Sequence, residues 1–344
     1  MCFQTIHKRS RMIMTIWVSM VISACTQSVH PTIQVMSGST MGTTYSVQVA
    51  GMGNEKSLNK LGEQIRSILQ IINQAMSTWD RNSELSKFNY GPVNTWTHFS
   101  DITMEVLKLS LDINQLTNGS FDVTVGSVVN LWGFGPSQQS EAVPRDSEIS
   151  KAMQRTGVHH IVIDPDTRHV KKEVDLYIDF SAIAKGYAVD KISDYLEQEG
   201  INDYLVEVGG EVRGKGNKPG GKAWKIAIEA PQVGGRQVQQ VVSLTNTAVA
   251  TSGDYRNYFE KDGHRYSHMI DTGTGRPVKH KLASVTVVDK HAARADALAT
   301  ALMVMGPSKA RNFAEENDIA AFFIVRQDDG FMQYTSSSFA QYEK

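Results

Sequence analysis

Apolar positions change period several times along the chain, and each change marks a different element. Tyr45, Val47 and Val49 alternate with polar residues over Thr43 to Val49, the period of a half-buried strand. Leu58, Leu61, Ile65, Ile68, Ile72 and Met76 then recur at intervals of three and four, which predicts an amphipathic helix. Ile102, Val106, Leu109, Ile113 and Leu116 repeat that spacing, with Ser100 as N-cap and Asn118-Gly119 as stop. Strands are predicted at Ile161–Ile163 and Val174–Phe180, followed by a helix from about Ala184 to Gln198 that ends at Gly200. Short strand-like runs dominate afterwards: Tyr204–Val208, Trp224–Glu229, Val241–Thr251, Arg265–Ile270 and Ser284–Val288. Helices over Ala293–Met305 and Ser308–Asn317 precede a last apolar strand, Ala320–Val325. Hairpin-like runs mixed with helices predict an α+β fold, with mixed or antiparallel sheets packed against helices.

The first residues follow a different rule. Lys8, Arg9 and Arg11 form a basic start, and Met12 to Ala24 form a short apolar run ending in small residues. A spanning helix wants about 20 apolar residues, so this run has the proportions of a secretory signal peptide. It ends Val21-Ile22-Ser23-Ala24-Cys25, which resembles a lipobox, the motif whose Cys becomes the lipidated first residue after cleavage. A plain signal peptide or an uncleaved anchor are the alternatives. The expected organisation is a lipoprotein signal peptide over 1–24, a polar tether over 25–35 and one catalytic domain over 36–344.

Cysteine and charge then narrow the chemistry. The only cysteines are Cys2 and Cys25, so cleavage before Cys25 leaves no thiol for a disulfide, a nucleophile or a metal. Lys+Arg is 35 against Asp+Glu 36, a balance that gives no broad steering toward nucleic acid.

Four segments carry candidate chemistry. Asp296 and Thr300 lie four apart on the helix Ala293–Met305 and share a face, a carboxylate and a hydroxyl that suit a hard cation such as Mg²⁺. Spacing alone favours the plainer reading, an Asp near a helix start and a Thr bonded back to a carbonyl. Asp179 to Tyr187 reads as a strand entering a helix, whose first N–H groups and Lys185 would favour phosphate. A simple cap followed by a solvated Lys is the alternative. Val208-Gly209-Gly210-Glu211 opens a glycine-rich stretch with no helix after it, so a dinucleotide fingerprint fails and a turn that lets a ligand approach is expected. His268-Met269-Ile270-Asp271 sets an imidazole at a strand end, where it is either a general base or an ordinary hydrogen-bonded residue. No Gly-x-Ser-x-Gly elbow is present, which disfavours a serine hydrolase.

Taken in order, nine segments resemble the ApbE-like FAD:protein FMN transferase family. They are Met41-Gly42-Thr43-Thr44-Tyr45; Met76 to Asp80 with Ser83-Glu84-Leu85; Gly119 to Thr124; Leu131 to Gly135; Asp179 to Tyr187; Val208 to Glu211; Thr251 to Tyr255; His268 to Gly275; and Ala295 to Thr300. The resemblance implies a T-fold-related catalytic domain, FAD as substrate and Mg²⁺ as cofactor. It implies that Met41, Trp79, Ser120, Phe121, Asp122, Asp179, Lys185 and Ile270 line the FAD site. Asp296, Thr300 and the Ala182 carbonyl would hold Mg²⁺, and His268 matches the family's base. The implied reaction moves FMN from FAD to a Thr or Ser hydroxyl and releases AMP. Implied acceptors carry a Ser/Thr-Gly-Ala-Thr-like motif, as in sodium-pumping NADH:quinone reductase and related electron-transfer complexes. Those targets place the chain at the periplasmic face of the inner membrane. Two departures stand out: Glu211 where Asp is common, and Thr272-Gly273 where Pro-Arg is frequent. A FAD pyrophosphatase and a non-catalytic FAD-binding lipoprotein are the competing classes.

Overall fold

The computed structural model describes residue 1 and residues 32–51, 55–136, 142–231, 238–255 and 257–343. The signal peptide, the lipobox with Cys25 and most of the tether therefore lie outside the described residues. From Thr32 onward the described residues cluster as one compact unit. Among the described residues no helix is long and apolar enough to cross a membrane.

An eight-stranded sheet organises that unit, and every neighbouring pair in it is antiparallel. Its order is Ile33–Thr40, Thr43–Ala50, Tyr204–Val208, Glu211–Lys215, Thr247–Gly253, Leu282–Asp289, Ala320–Gln327 and Gly330–Thr335. The α+β class and the antiparallel pairing agree with the sequence pattern. One boundary moves. Ile33, Gln34 and Val35, read as tether, pair with Ala50, Val49 and Gln48 and begin the edge strand.

Helices cover one face of this sheet, and the long excursion between Ala50 and Tyr204 supplies most of them. Glu55–Met76 buries Leu61, Ile65, Ile72 and Met76 of the predicted stripe, and Leu69, which that stripe did not include, is buried where Ile68 is only half-buried. Asp101–Leu116 starts at Ser100, whose hydroxyl accepts the Thr103 N–H as an N-cap should. Ala184–Gln198 and Ala292–Met305 pack against each other, and the second lies on the strands Thr247–Gly253 and Leu282–Asp289. Ala292–Met305 is buried on nearly every side, with alanine at 292, 293, 295, 297, 299 and 301. Small side chains there let two helices and a sheet approach closely. A second cluster, around Trp224, Val242, Leu244 and Phe339, sits under a three-stranded sheet of Asn217–Lys218, Lys222–Glu229 and Val238–Leu244.

Three strand expectations are corrected. Val174–Phe180 joins no sheet: it bends at Val174–Asp175, Tyr177 bridges to Val125, and the Asp179 N–H donates to the Val123 carbonyl at 2.8 Å. A side chain substitutes for a neighbouring strand: the buried Asn89 amide donates to the Ile178 carbonyl and accepts the Ile178 N–H, both at 2.8 Å. The run Val241–Thr251 is two strands, Val238–Leu244 and Thr247–Gly253, broken at Asn246 with φ 54°. Arg265–Ile270 divides likewise into the hairpin strands His264–Ser267 and Ile270–Asp271.

Asp190 fixes the two central helices to each other. Its carboxylate accepts the Ala292 and Ala293 N–H groups, both at 2.9 Å, and pairs with Arg213 at 3.0 Å. It thus caps one helix from the interior of the other. Asp190→Ala leaves two helix-start N–H groups without their acceptor and removes one of the three carboxylates around Arg213, which keeps Asp194 and Glu197, so stability should fall by about 1–3 kcal/mol. Chemical denaturation measures this, and a change below about 0.5 kcal/mol, the usual scale of surface substitutions, would contradict the role.

Candidate active site

The candidate site is a cavity of about 620 Å³ formed where eight separate segments meet. Trp79, Ser120, Phe121, Asp122, Asp179, Ala182, Lys185, His268, Ile270, Asp296 and Thr300, all singled out in the sequence, line it. Met41 does not. It occupies the turn between Ile33–Thr40 and Thr43–Ala50 with φ 49°, packed at the edge of the core.

Backbone contact builds the charged end of the cavity. A Cβ on Gly186 would lie 2.3 Å from the Ala292 carbonyl oxygen and 2.8 Å from the Ala293 Cα. The two helices therefore touch at a point where only hydrogen fits. The Gly186 N–H donates to Asp296 Oδ2 at 3.2 Å, and Lys185 Nζ lies 3.6 Å from that oxygen. On its other side Lys185 pairs with Glu211 Oε1 at 2.9 Å. Burial pulls the ammonium toward neutrality, but Asp296 and Glu211 outweigh it and hold the lysine above its ordinary pKa. Gly209 completes this corner, since a Cβ there would stand 2.9 Å from Lys185 Cδ.

Glu211 is the residue sequence reasoning placed in a motif but gave no role. It is buried, and burial pushes its pKa up while the neighbouring Lys185 ammonium pulls it down. Its Oε2 is buried without a hydrogen-bond partner and belongs to a residue lining the cavity. Thr300 is one turn along the helix from Asp296, and its hydroxyl lies 3.0 Å from Ser252 Oγ. The sequence signal for Ser252 was its place in Thr251-Ser252-Gly253.

The start of the helix Ala184–Gln198 offers an anion less than the sequence suggested. The Ala184 N–H donates to the Phe180 carbonyl at 2.8 Å and the Gly186 N–H to Asp296, so positive charge here comes from Lys185 itself. The preceding turn is held by Asp179, whose Oδ1 accepts the Ser181 N–H at 2.8 Å and hydroxyl at 2.5 Å. Asp122 is held similarly by Thr124, and burial raises its pKa despite those bonds.

His268 lines the same cavity from a separate segment. Its Nδ1 lies 3.0 Å from the Asn257 carbonyl oxygen, which can only accept, so Nδ1 carries the proton and Nε2 is the basic nitrogen. Burial lowers its pKa, outweighing the Asn257 carbonyl and the Asp254 charge that favour protonation. Phe134 meets the ring edge-on, with centroids 6.3 Å apart. Trp79 stands 64% exposed at the cavity, a large ring with a free face for stacking. The arrangement therefore sets a neutral base and a cation flanked by carboxylates in one cavity, with the Thr300 hydroxyl also on its lining. That suits proton removal beside a phosphate.

The ApbE family profile matches residues 41–323. The chain belongs to the ApbE family. It is 47% identical over 308 residues to the FAD:protein FMN transferase of Vibrio cholerae, covering 88% of this chain and 91% of that protein. The solved flavin transferase ApbE from Vibrio cholerae superposes with a TM-score of 0.83 at 44% identity, over 91% of this chain and 99% of that one. The flavinyl transferase ApbE of Pseudomonas stutzeri, in its apo form, gives 0.84 at 42% identity, over 91% and 97%.

The close approach at Gly186 is open to direct test. Gly186→Ala must push the Ala292–Ala293 backbone away and carry Asp296 with it. We expect a melting temperature lower by several degrees and activity down at least tenfold in the protein that remains folded. An unchanged melting curve with full activity would show that the helices can yield at no cost.

Proposed function

We propose that the chain transfers FMN from FAD to a Thr or Ser hydroxyl of a target protein, forming a phosphoester and releasing AMP. The observation that carries this reading is that His268, Lys185, Asp296 and Thr300 line one cavity, with His268 Nδ1 committed to the Asn257 carbonyl and Nε2 left as the basic nitrogen. The acceptor hydroxyl loses its proton to His268 as its oxygen attacks the FMN-side phosphorus. The bond from that phosphorus to the AMP oxygen breaks, and AMP leaves as the anion. Lys185 holds a positive charge beside the pyrophosphate throughout, because Asp296 and Glu211 keep it protonated. Trp79, Ser120, Phe121, Asp122, Asp179 and Ile270 line the remainder and would receive the flavin and its ribityl chain.

Asp296, Thr300 and the Ala182 carbonyl are oxygen donors on one cavity, a set that fits Mg²⁺ rather than a softer ion. Bound there, Mg²⁺ would neutralise charge on the pyrophosphate oxygens. The acceptors we favour carry a Ser/Thr-Gly-Ala-Thr-like motif, as in subunits of sodium-pumping NADH:quinone reductase. The basic start at Lys8 to Arg11 and the Ala24-Cys25 junction support a lipid anchor, and the inner-membrane location of the favoured acceptors supports placing it at the periplasmic face of that membrane.

His268→Ala should retain FAD binding and lose transfer by about 10²–10⁴, the usual worth of a positioned base. The neutral imidazole is the active form, so activity falls as pH drops through the histidine pKa. Because burial lowers that pKa, the acid limb should lie below the ordinary imidazole range. FAD affinity, melting temperature and mass-spectrometric detection of the FMN adduct are read on the same variant. Full transfer by folded His268→Ala would end the proposal for this base. FMN and AMP released without any adduct would replace transfer by FAD hydrolysis.

The anchor has its own test. Cys25→Ser should abolish incorporation of labelled fatty acid, and unchanged labelling would remove the lipobox reading.

A further inference from the structure

Away from the cavity, two histidines face each other across a small sheet. Thr97–His98 pairs antiparallel with His169–Lys172, and His98 stands opposite His169. The Phe99 N–H donates to the Arg168 carbonyl at 3.0 Å, so the hydrogen-bonded pair is Phe99 with Arg168. His98 and His169 are therefore a non-hydrogen-bonded pair, the position where cross-strand side chains come closest.

We propose that His98 and His169 form a surface chelate for a divalent transition ion of the Zn²⁺, Cu²⁺ or Ni²⁺ kind. Their ring centroids are 5.3 Å apart with planes at 74°. A metal–nitrogen bond of about 2.0–2.1 Å puts each ring centroid roughly 3 Å from the ion, so two imidazoles on one tetrahedral ion stand about 5 Å apart. The observed centroid spacing matches that geometry. His169 is already oriented, because its Nδ1 lies 2.9 Å from Thr167 Oγ1, which leaves Nε2 for the ion. His98 is exposed, so its ring can turn to meet the ion.

Nearby cations are engaged elsewhere. Lys171 lies over the Trp96 ring at 5.1 Å, and Arg168 pairs with Asp101. Imidazole donors select borderline ions rather than Mg²⁺, so this site and the oxygen-lined cavity draw on different metals. Water would complete the coordination. Occupancy would pin a strand pairing only two residues long. The second strand of that pairing carries Lys172, whose ammonium holds the Asn89 carbonyl at 2.6 Å.

Zn²⁺ is titrated into the full chain kept in Mg²⁺, with binding followed by calorimetry and stability by thermal melting. At Zn²⁺ about ten times its Kd the melting temperature should rise by about 2–4 °C. That rise and one equivalent of Zn²⁺ should be lost in both His98→Ala and His169→Ala, and retained in His264→Ala. Bound Cu²⁺ should show two nitrogen ligands by electron paramagnetic resonance. Without added Zn²⁺ both variants should melt and transfer FMN as the parent does, which separates this site from the catalytic reading. Equal Zn²⁺ uptake by the parent and both variants, or no uptake by the parent, would overturn the proposal. Loss in one variant alone would reduce the site to a single histidine and overturn the chelate.

Discussion

Everything at the charged end of the cavity depends on two helices meeting backbone to backbone. Gly186 and the Ala292–Ala293 peptide occupy space that no side chain could share. That contact brings residues more than a hundred positions apart into the lining of one cavity: Ala182 and Lys185 from one segment, Asp296 and Thr300 from the other. Asp190 reinforces it from one turn further along, capping the second helix from the first. The alanines of Ala292–Met305 serve the same end, since bulkier side chains would lift the helix off both its neighbour and the sheet.

Electrostatics then divides the labour between Lys185 and His268. Lys185 sits in an environment that would neutralise it alone, and two carboxylates keep it charged. His268 sits in an environment that also disfavours charge, with no carboxylate in contact to reverse the effect, so it stays neutral. Burial is common to both, and the neighbouring anions decide the outcome. A permanent cation and an uncharged base can therefore coexist in one cavity near neutral pH.

Much of this was legible in the sequence wherever periodicity decides structure. The helix Glu55–Met76, the Ser100 cap and the strand Ala320–Gln327 follow directly from spacing and capping chemistry. Val174–Phe180 misled because its composition is that of a buried strand while its partner is a side chain. Nothing in the local pattern announces that Asn89 will supply both hydrogen bonds to Ile178. The split of Val241–Thr251 at Asn246 was hidden for a different reason: a left-handed Asn makes a turn without Gly or Pro. The pairing of Asp296 with Thr300 was visible as spacing, but its meaning was not. A carboxylate and hydroxyl four apart are ordinary until Lys185 and Gly186 are seen beside them. Glu211 is the clearest omission, because burial and an unmatched oxygen are properties of the folded chain alone.

Gly186 and Gly209 also change how divergence in such a chain should be read. Neither carries a functional group, yet one added methyl at Gly209 would strike Lys185, and one at Gly186 would strike the Ala292–Ala293 backbone that leads into Asp296. A descendant could keep Lys185, Asp296, Thr300 and His268 unaltered and still lose its chemistry through either glycine. Inheritance of the reactive side chains is then insufficient proof of a working enzyme. The two silent positions are the better witnesses to whether a lineage has kept its activity or only its shape.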